Sequence, residues 1–353
     1  MNLESRIKAF SSLGEVLRTV TSEEEQNGFP AEIADSALQL KKEISYARQY
    51  NGWFTPEMVN NALKALGESL KESKIRKWTS FYNFKEKKNI ATVGVIMAGN
   101  VPAVGFHDFL SVLISGNKIL MKLSSDDDKL LPAIANILVK IEPEFENYIL
   151  IADGIMKNFD AIIATGSNNT SRYFEYYFGK YPNIIRKNRN GIAVLTGNEE
   201  LDDLKALADD IFLYYGLGCR NVAKLYVPDN YDFIPLMKVL EQYEDLRENH
   251  KYHNNYDYNK AIFLVNGTKH FDAGNVLLTE SQSFASPVSV INYEFYSSPD
   301  QINNILMVNH NEIQCVVSNA DFISDALPFG NSQKPELWDY ADGVDTLAFL
   351  LKQ

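Results

Sequence analysis

From Asn89 onward, apolar runs of strand length alternate with segments of helical period, and this alternation constrains the chain more than any other feature. Residues 90–97 are almost continuously apolar, a pattern that a strand shows when both of its faces are covered. A turn containing Gly and Pro follows, then an apolar stretch at 106–114, a break at Gly116-Asn117 and a short strand at 118–123. Residues 130–141 read as a helix, 148–152 and 161–164 as strands, 170–178 as a helix and 192–195 as a strand. The order predicts an α/β fold, with a parallel sheet covered on both faces.

The alternation resumes past residue 200, with helices at 201–214, 233–243 and 301–307 and strands at 222–227, 261–265, 288–293 and 314–317, so a second α/β domain is expected. The polar stretch 248–260, rich in Asn, Tyr and His, reads as a surface loop. Ahead of both lies a helical lead-in, in which apolar residues recur at three and four residue spacings over 3–20 and 33–46. Thr55-Pro56-Glu57 then supplies an N-cap, a proline at the first helical position and a first-turn acid, predicting a helix over 58–70. The divisions expected are 1–80, 81–197 and 198–353.

With 353 residues, 45% of them hydrophobic, the chain is long enough for two cores. Its 34 Lys+Arg against 46 Asp+Glu leave a net charge of -12, which disfavours nucleic acid and anionic lipid. The one basic run, Lys85-Glu86-Lys87-Lys88, reads as a solvated turn. No signal pattern and no membrane-length apolar segment occurs, so a cytoplasmic protein is expected. Only Cys219 and Cys315 are present, too few for a disulfide scaffold, and each is judged as a thiol. The histidines at 107, 250, 253, 270 and 310 lack metal-ligand spacing, so no metal site is expected. Asp126-Asp127-Asp128 reads as the acidic start of a helix, and Cys315 as inert core in an apolar strand.

The most chemical segment is Tyr215-Gly216-Leu217-Gly218-Cys219-Arg220-Asn221, a thiol between helix and strand with glycines one and three residues before it. Glycines there let a substrate carbonyl approach both sulfur and amides, and Arg220 would stabilise a thiolate. The alternative is a small apolar side chain in a turn. Asn100, in Gly99-Asn100-Val101-Pro102, should lie at a strand's carboxyl end, where its amide could donate to an oxyanion or simply shape a turn. Thr165-Gly166-Ser167 closes a strand and opens a helix, an arrangement that can hold a pyrophosphate and is also common in ordinary turns.

Taken in order, Gly99-Asn100-Val101-Pro102, Gly116-Asn117-Lys118 to Lys122, Thr165-Gly166-Ser167, Gly216 to Cys219, Phe284-Ala285-Ser286-Pro287-Val288 and Pro328-Phe329-Gly330 resemble the aldehyde dehydrogenase superfamily. Asn51 to Pro56, Gly218 to Lys224 and Tyr340 to Asp345 narrow the resemblance to acyl-CoA reductases related to the fatty acyl reductase of bacterial bioluminescence. The resemblance implies two Rossmann-like parallel-sheet domains with a helical N-terminal segment: a nicotinamide cofactor-binding domain at 81–197 and a catalytic domain at 198–353. It matches Cys219 to the nucleophile, Asn100 to the oxyanion amide, Lys122 to the lysine near the adenosine ribose, Gly166 with Ser167 to the cofactor turn, and Phe329 to an aromatic residue near the site. Ser125 stands where NAD enzymes often carry an acid, which favours NADPH, with NADH as the alternative. Gln282, or Glu280 two residues before it, takes the place of the acid that holds the nicotinamide ribose. The region 184–190 lacks the Glu-Leu-Gly-Gly of hydrolytic members, so release by hydride is expected over release by water. The activity implied is NADPH-dependent reduction of an acyl thioester to the aldehyde, on acyl-CoA or an acyl carrier, by a homo-oligomer; oxidation of aldehydes to acids and a silent acyl-binding subunit are the rivals.

Overall fold

The structure, a computed structural model, describes residues 1–22, 29–85 and 89–353, so Glu86 to Lys88 of the basic run lie outside the described residues. The chain forms two compact units, Met1–Lys187 with Glu336–Gln353, and Asn188–Pro335. The expected boundary at 197/198 falls later than this division. Strand 190–194 hydrogen-bonds into the second unit's sheet, and the C-terminal segment, expected with the catalytic half, packs with the first unit.

The first unit opens with α1 (Leu3–Val20), α2 (Ala31–Tyr50), α3 (Pro56–Ser69) and α4 (Glu72–Ser80). The Thr55 hydroxyl accepts the Met58 N–H, so the predicted capping signal starts α3 as expected. Then come β1 (Thr92–Ile96), α5 (Phe106–Ile114), β2 (Lys118–Lys122), α6 (Leu130–Ile141), β3 (Ile149–Ile151), β4 (Ala161–Thr165), α7 (Asn168–Phe178) and β5 (Asn183–Arg186). Every pairing in this sheet is parallel, in the order β3-β2-β1-β4-β5. The chain steps outward from β1 through β2 to β3 and then restarts on the other side at β4. The topological switch therefore lies between β1 and β4, the crevice where open α/β sheets bind ligands. Leu13, Leu17, Trp78, Val93, Val95 and Phe109 are fully buried in one core that joins the helices to the sheet. A buried ion pair, Arg186 to Asp108 at 2.5 and 2.8 Å with Thr346 at 3.0 Å, ties the end of β5 to α5 and to the C-terminal tail.

The second unit contains β6 (Asn190–Val194), α8 (Leu201–Phe212), β7 (Val222–Pro228), α9 (Ile234–Glu241), α10 (His250–Asn266), β8 (His270–Asp272), β9 (Leu277–Glu280), β10 (Val290–Tyr296), α11 (Pro299–Val308) and β11 (Ile313–Val317). The tail of the first unit ends in α12 (Thr346–Leu350). The second sheet runs β11-β6-β7-β10-β9-β8; it is parallel except for the edge pair β8–β9, so it is mixed where a wholly parallel sheet was expected.

Two sequence readings fail here for one reason. The stretch 248–260 is not a loop and 261–265 is not a strand; from His250 onward both belong to α10. Asn249 caps it by accepting from Lys251 and Tyr252, and its buried face is built from Tyr252, Tyr256 and Asn259, side chains that look polar in sequence yet bury apolar bodies. Among the described residues no helix is long and apolar enough to cross a membrane.

Candidate active site

In the first unit, the residues singled out cluster at the carboxyl ends of β1, β2 and β4. Asn100 is exposed in the loop after β1. Lys122 is the last residue of β2 and partly exposed, and Ser125 is exposed in the next turn. After β4, Ser167 is the N-cap of α7, accepting the Thr170 N–H at 3.2 Å, while Gly166 packs closely enough that a Cβ would lie 2.9 Å from Phe174. All five residues thus edge the crevice that the strand order defines.

The loop after β1 is not free to wander. Ala103 adopts a left-handed φ of 53°, and its N–H donates to Asp127 Oδ2 at 2.7 Å. The Leu130 amide also acts on this carboxylate, but α6 has no side-chain cap and no acid in its first turn, so the acidic run does not cap the helix as expected; its central residue instead braces the loop after β1. Burial pushes the Asp127 carboxyl up to about 6, against the pull of those two amides.

In the second unit, Cys219 is exposed in the turn between α8 and β7, so it stands before the start of a strand. The approach to it is left-handed at three consecutive residues, Tyr214 (φ 55°), Tyr215 (φ 57°) and Gly216 (φ 74°). Only Gly adopts this conformation freely, and the two tyrosines cost on the order of 1–3 kcal/mol each. Asn221, which is buried, compensates: its Nδ2 donates to the carbonyls of Asp210 (3.0 Å), Ile211 (3.2 Å) and Leu213 (2.8 Å), and its Oδ1 accepts the Gly218 N–H at 2.8 Å. One amide thereby fixes both the end of α8 and the residue before the thiol. Beneath the turn, Gly191 of β6 lets two backbones meet, since a Cβ there would lie 2.5 Å from the Arg220 carbonyl oxygen.

The turn after Phe329 is bound to the same frame. Asp210, 1% exposed, accepts the N–H groups of Gly330 (2.6 Å) and Ser332 (2.9 Å), and Arg220 Nε donates to the Ser332 carbonyl. Burial raises the Asp210 carboxyl from its usual value, and those amides oppose the rise. Phe329 itself is buried. Cys219 and the Phe329 turn are therefore brought together through Asp210 and Arg220. Gln282 and Glu280 are both exposed, at and just beyond the end of β9. The fully buried Lys224 holds this loop by donating to Ser281 O at 2.9 Å and pairing with Glu294 at 2.6 Å.

Cys315, in β11, has a different environment. Burial pushes its thiol up to about 11, and its Sγ donates to the Arg220 carbonyl at 3.7 Å. Among the described residues no group of three or more His, Cys, Asp or Glu could hold a metal ion.

The sequence offers no role for Asp210, Asn221 or Lys224, and for Asp127 only that of a helix start. Signals were present: Asp210 and Lys224 are charged residues inside apolar runs, which fold only if paired. Their partners lie far along the chain and could not be read.

Solved structures share this architecture. An oxidoreductase from Marinobacter aquaeolei superposes with a TM-score of 0.63 at 9% identity, covering 91% of this chain and 75% of its own. The indole-3-acetaldehyde dehydrogenase AldA of P. syringae, a mutant form in complex with NAD+ and IAA, gives a TM-score of 0.58 at 12% identity, over 92% of this chain and 77% of its own. The fold is that of the aldehyde dehydrogenases. Within it, residues 21–242 match the family described as acyl-CoA reductase (LuxC), and the chain belongs to that family. A curated relative, long-chain acyl-protein thioester reductase 2 of Photobacterium leiognathi, is 24% identical over 54% of this chain, a match that spans only 43% of the relative's length.

Proposed function

We propose that the protein reduces an acyl thioester, carried by coenzyme A or an acyl carrier, to the aldehyde with NADPH, through a thioacyl intermediate on Cys219. The observation that carries this reading is the contrast between the two thiols: Cys219 is exposed on a strained turn held by buried polar groups, whereas Cys315 is raised by burial to about 11. Strain maintained by such a frame marks a site built for use.

The first unit fits a dinucleotide at the β1/β4 switch. Lys122 offers a cation at the end of β2, Ser167 and the N-terminus of α7 offer a hydroxyl and amides, and Ser125 brings no charge against a 2'-phosphate. Gln282 is the candidate partner of the nicotinamide ribose, and Phe329 the candidate aromatic neighbour. The cofactor, when bound, supplies hydride.

The thiolate of Cys219 attacks the acyl carbonyl, forming an S–C bond as the carrier's C–S bond breaks; the carrier thiol takes the proton. Asn100 is the candidate amide donor to the acyl oxygen. After hydride has reached the carbonyl carbon, Cys219 departs as the leaving thiolate and the aldehyde is freed. No carboxylate lies in residues 183–190 to deprotonate water, and Arg186 there is engaged by Asp108. This favours reduction over hydrolysis of the intermediate. By analogy with the superfamily the active form is a homo-oligomer.

A panel of acyl-CoAs of different length, assayed with NADPH and NADH, tests the reading. The specificity constant should be higher with NADPH; a tenfold preference for NADH, about 1.4 kcal/mol in transition-state binding, would overturn the cofactor assignment. Aldehyde with oxidised cofactor should give little acid unless coenzyme A is present. Rapid acid formation without a thiol would favour a hydrolytic dehydrogenase, and no turnover in either direction a silent acyl-binding subunit.

A further inference from the structure

The loops that leave β1 and β2 are fastened to each other at several points, and one side chain closes the fastening. Met97 N–H donates to the Lys122 carbonyl at 3.0 Å, and Gly99 packs against the second loop so tightly that a Cβ would lie 2.6 Å from Ser124 Oγ. Within the second loop, Ser124 accepts the N–H of Asp126 with its hydroxyl (3.2 Å) and that of Asp127 with its carbonyl (3.2 Å), and Asn51, which follows α2, donates to the Asp126 carbonyl at 3.2 Å. Across the gap, Asp127 Oδ2 takes the N–H of Ala103, whose left-handed backbone no intrinsic preference of alanine would hold.

We propose that Asp127 is a positioning residue that clamps the Asn100 loop onto the Lys122–Ser125 loop, so that the amide donor and the cofactor-side residues are held as one piece. The clamp itself stands on the geometry; its bearing on catalysis rests on the role proposed for Asn100.

The same geometry makes the clamp sensitive to pH. Loop 99–105, which faces the carboxylate, carries no ionisable side chain. Asp128 is the charge that acts on Asp127, reinforcing burial, and Asp128 in turn pairs with Lys129 at 3.3 Å. At the end of α2, Asn51 just beyond the helix presents an amide, and Tyr50, its last residue, lies under the Lys129 ammonium at 6.0 Å. Burial raises the Asp127 carboxyl to about 6, above the value it takes once open to solvent, so the closed clamp is fully favoured below that pH and loosens as the carboxyl ionises above it.

Hydrogen exchange on the full chain tests the clamp without reference to chemistry. In Asp127→Ala, peptides covering 99–105 should exchange on the order of tenfold faster, while those of α1 and β4 stay as in the wild type. Asp127→Asn keeps an acceptor for Ala103 and should fall between the two, without the tightening that the wild type shows from pH 7.5 to 5.5 once intrinsic rates are corrected. Unchanged protection of 99–105 in both variants would overturn the clamp. Should the alanine variant not fold, the asparagine variant's pH series carries the test alone.

Catalytic bearing is read from single-turnover acylation of Cys219 by acyl-CoA. Asp127→Ala should slow it on the order of tenfold, since small misplacement of a catalytic group is costly, and Asp127→Asn should lack a limb near pH 6 that the wild type shows. A loosened loop with wild-type acylation would overturn the positioning role. A wild-type protein that is never acylated would overturn the proposed function, while the exchange data still decide the clamp.

Discussion

In the first unit, Asn100, Lys122 and Ser125 follow the carboxyl ends of parallel strands, and the loops that bear them are closed by one partly exposed carboxylate, Asp127. Cys219, in the second unit, stands ahead of its strand on a left-handed approach, with Asn221 and Asp210 buried beneath it. The first arrangement uses positions that a parallel sheet provides, and needs only local fastening. The second forces the backbone into a conformation it would not choose, so it needs buried polar groups with every bond made. Disturbing the second frame should therefore cost more stability than disturbing the first.

The largest effect expected bounds the comparison from the structural side. Arg186→Met leaves Asp108 buried without its cation, and removing one partner of such a pair costs roughly 3–5 kcal/mol. Urea denaturation checks this, with Arg76→Ala as the contrast: Arg76 pairs with Glu4 on the surface, and its loss should leave the midpoint unchanged.

Asn221→Ala sharpens the comparison itself. It orphans three carbonyls and one N–H around the cysteine turn, and a loss of about 2–3 kcal/mol is expected together with slowed acylation of Cys219. Asp127→Asn should cost less than half of that. A larger loss from Asp127→Asn than from Asn221→Ala would break the contrast between the units.

The smallest stability effects separate the two thiols. Cys315→Ala should lose on the order of 1 kcal/mol through a small cavity, and Cys219→Ala almost nothing. Alkylation followed by peptide mapping gives the chemical counterpart. At pH 8 Cys219 should react while Cys315, raised to about 11, stays protonated; Cys315 should become reactive only as the pH nears that value or the unit opens.

The sequence was most legible where the signal was local. Thr55-Pro56-Glu57 announced α3 through capping chemistry confined to one turn, and the apolar run over 90–97 announced a central strand because both its faces are covered. The stretch 248–260 was misread because a helix can bury tyrosine and asparagine, and a polarity count does not see the apolar body of a tyrosine ring. The glycine pattern around Cys219 was visible, but its supports were not. Asp210 reaches Gly330 and Ser332 across most of the second unit's length, and no period or spacing records such a bond. The division between units was misplaced for a related reason: β6 belongs to the sheet it pairs with, and pairing is not written in the strand's own residues.

The most direct test of the account is acylation itself. Protein incubated with acyl-CoA in the absence of reduced cofactor, then examined by intact mass and peptide analysis, should carry one acyl group on the peptide containing Cys219. Cys219→Ala should be neither acylated nor active, while its exchange protection and nucleotide binding match the wild type. An active wild-type protein with Cys219 unmodified, or a Cys219→Ala variant that reduces acyl-CoA at near the wild-type rate, would contradict the covalent mechanism.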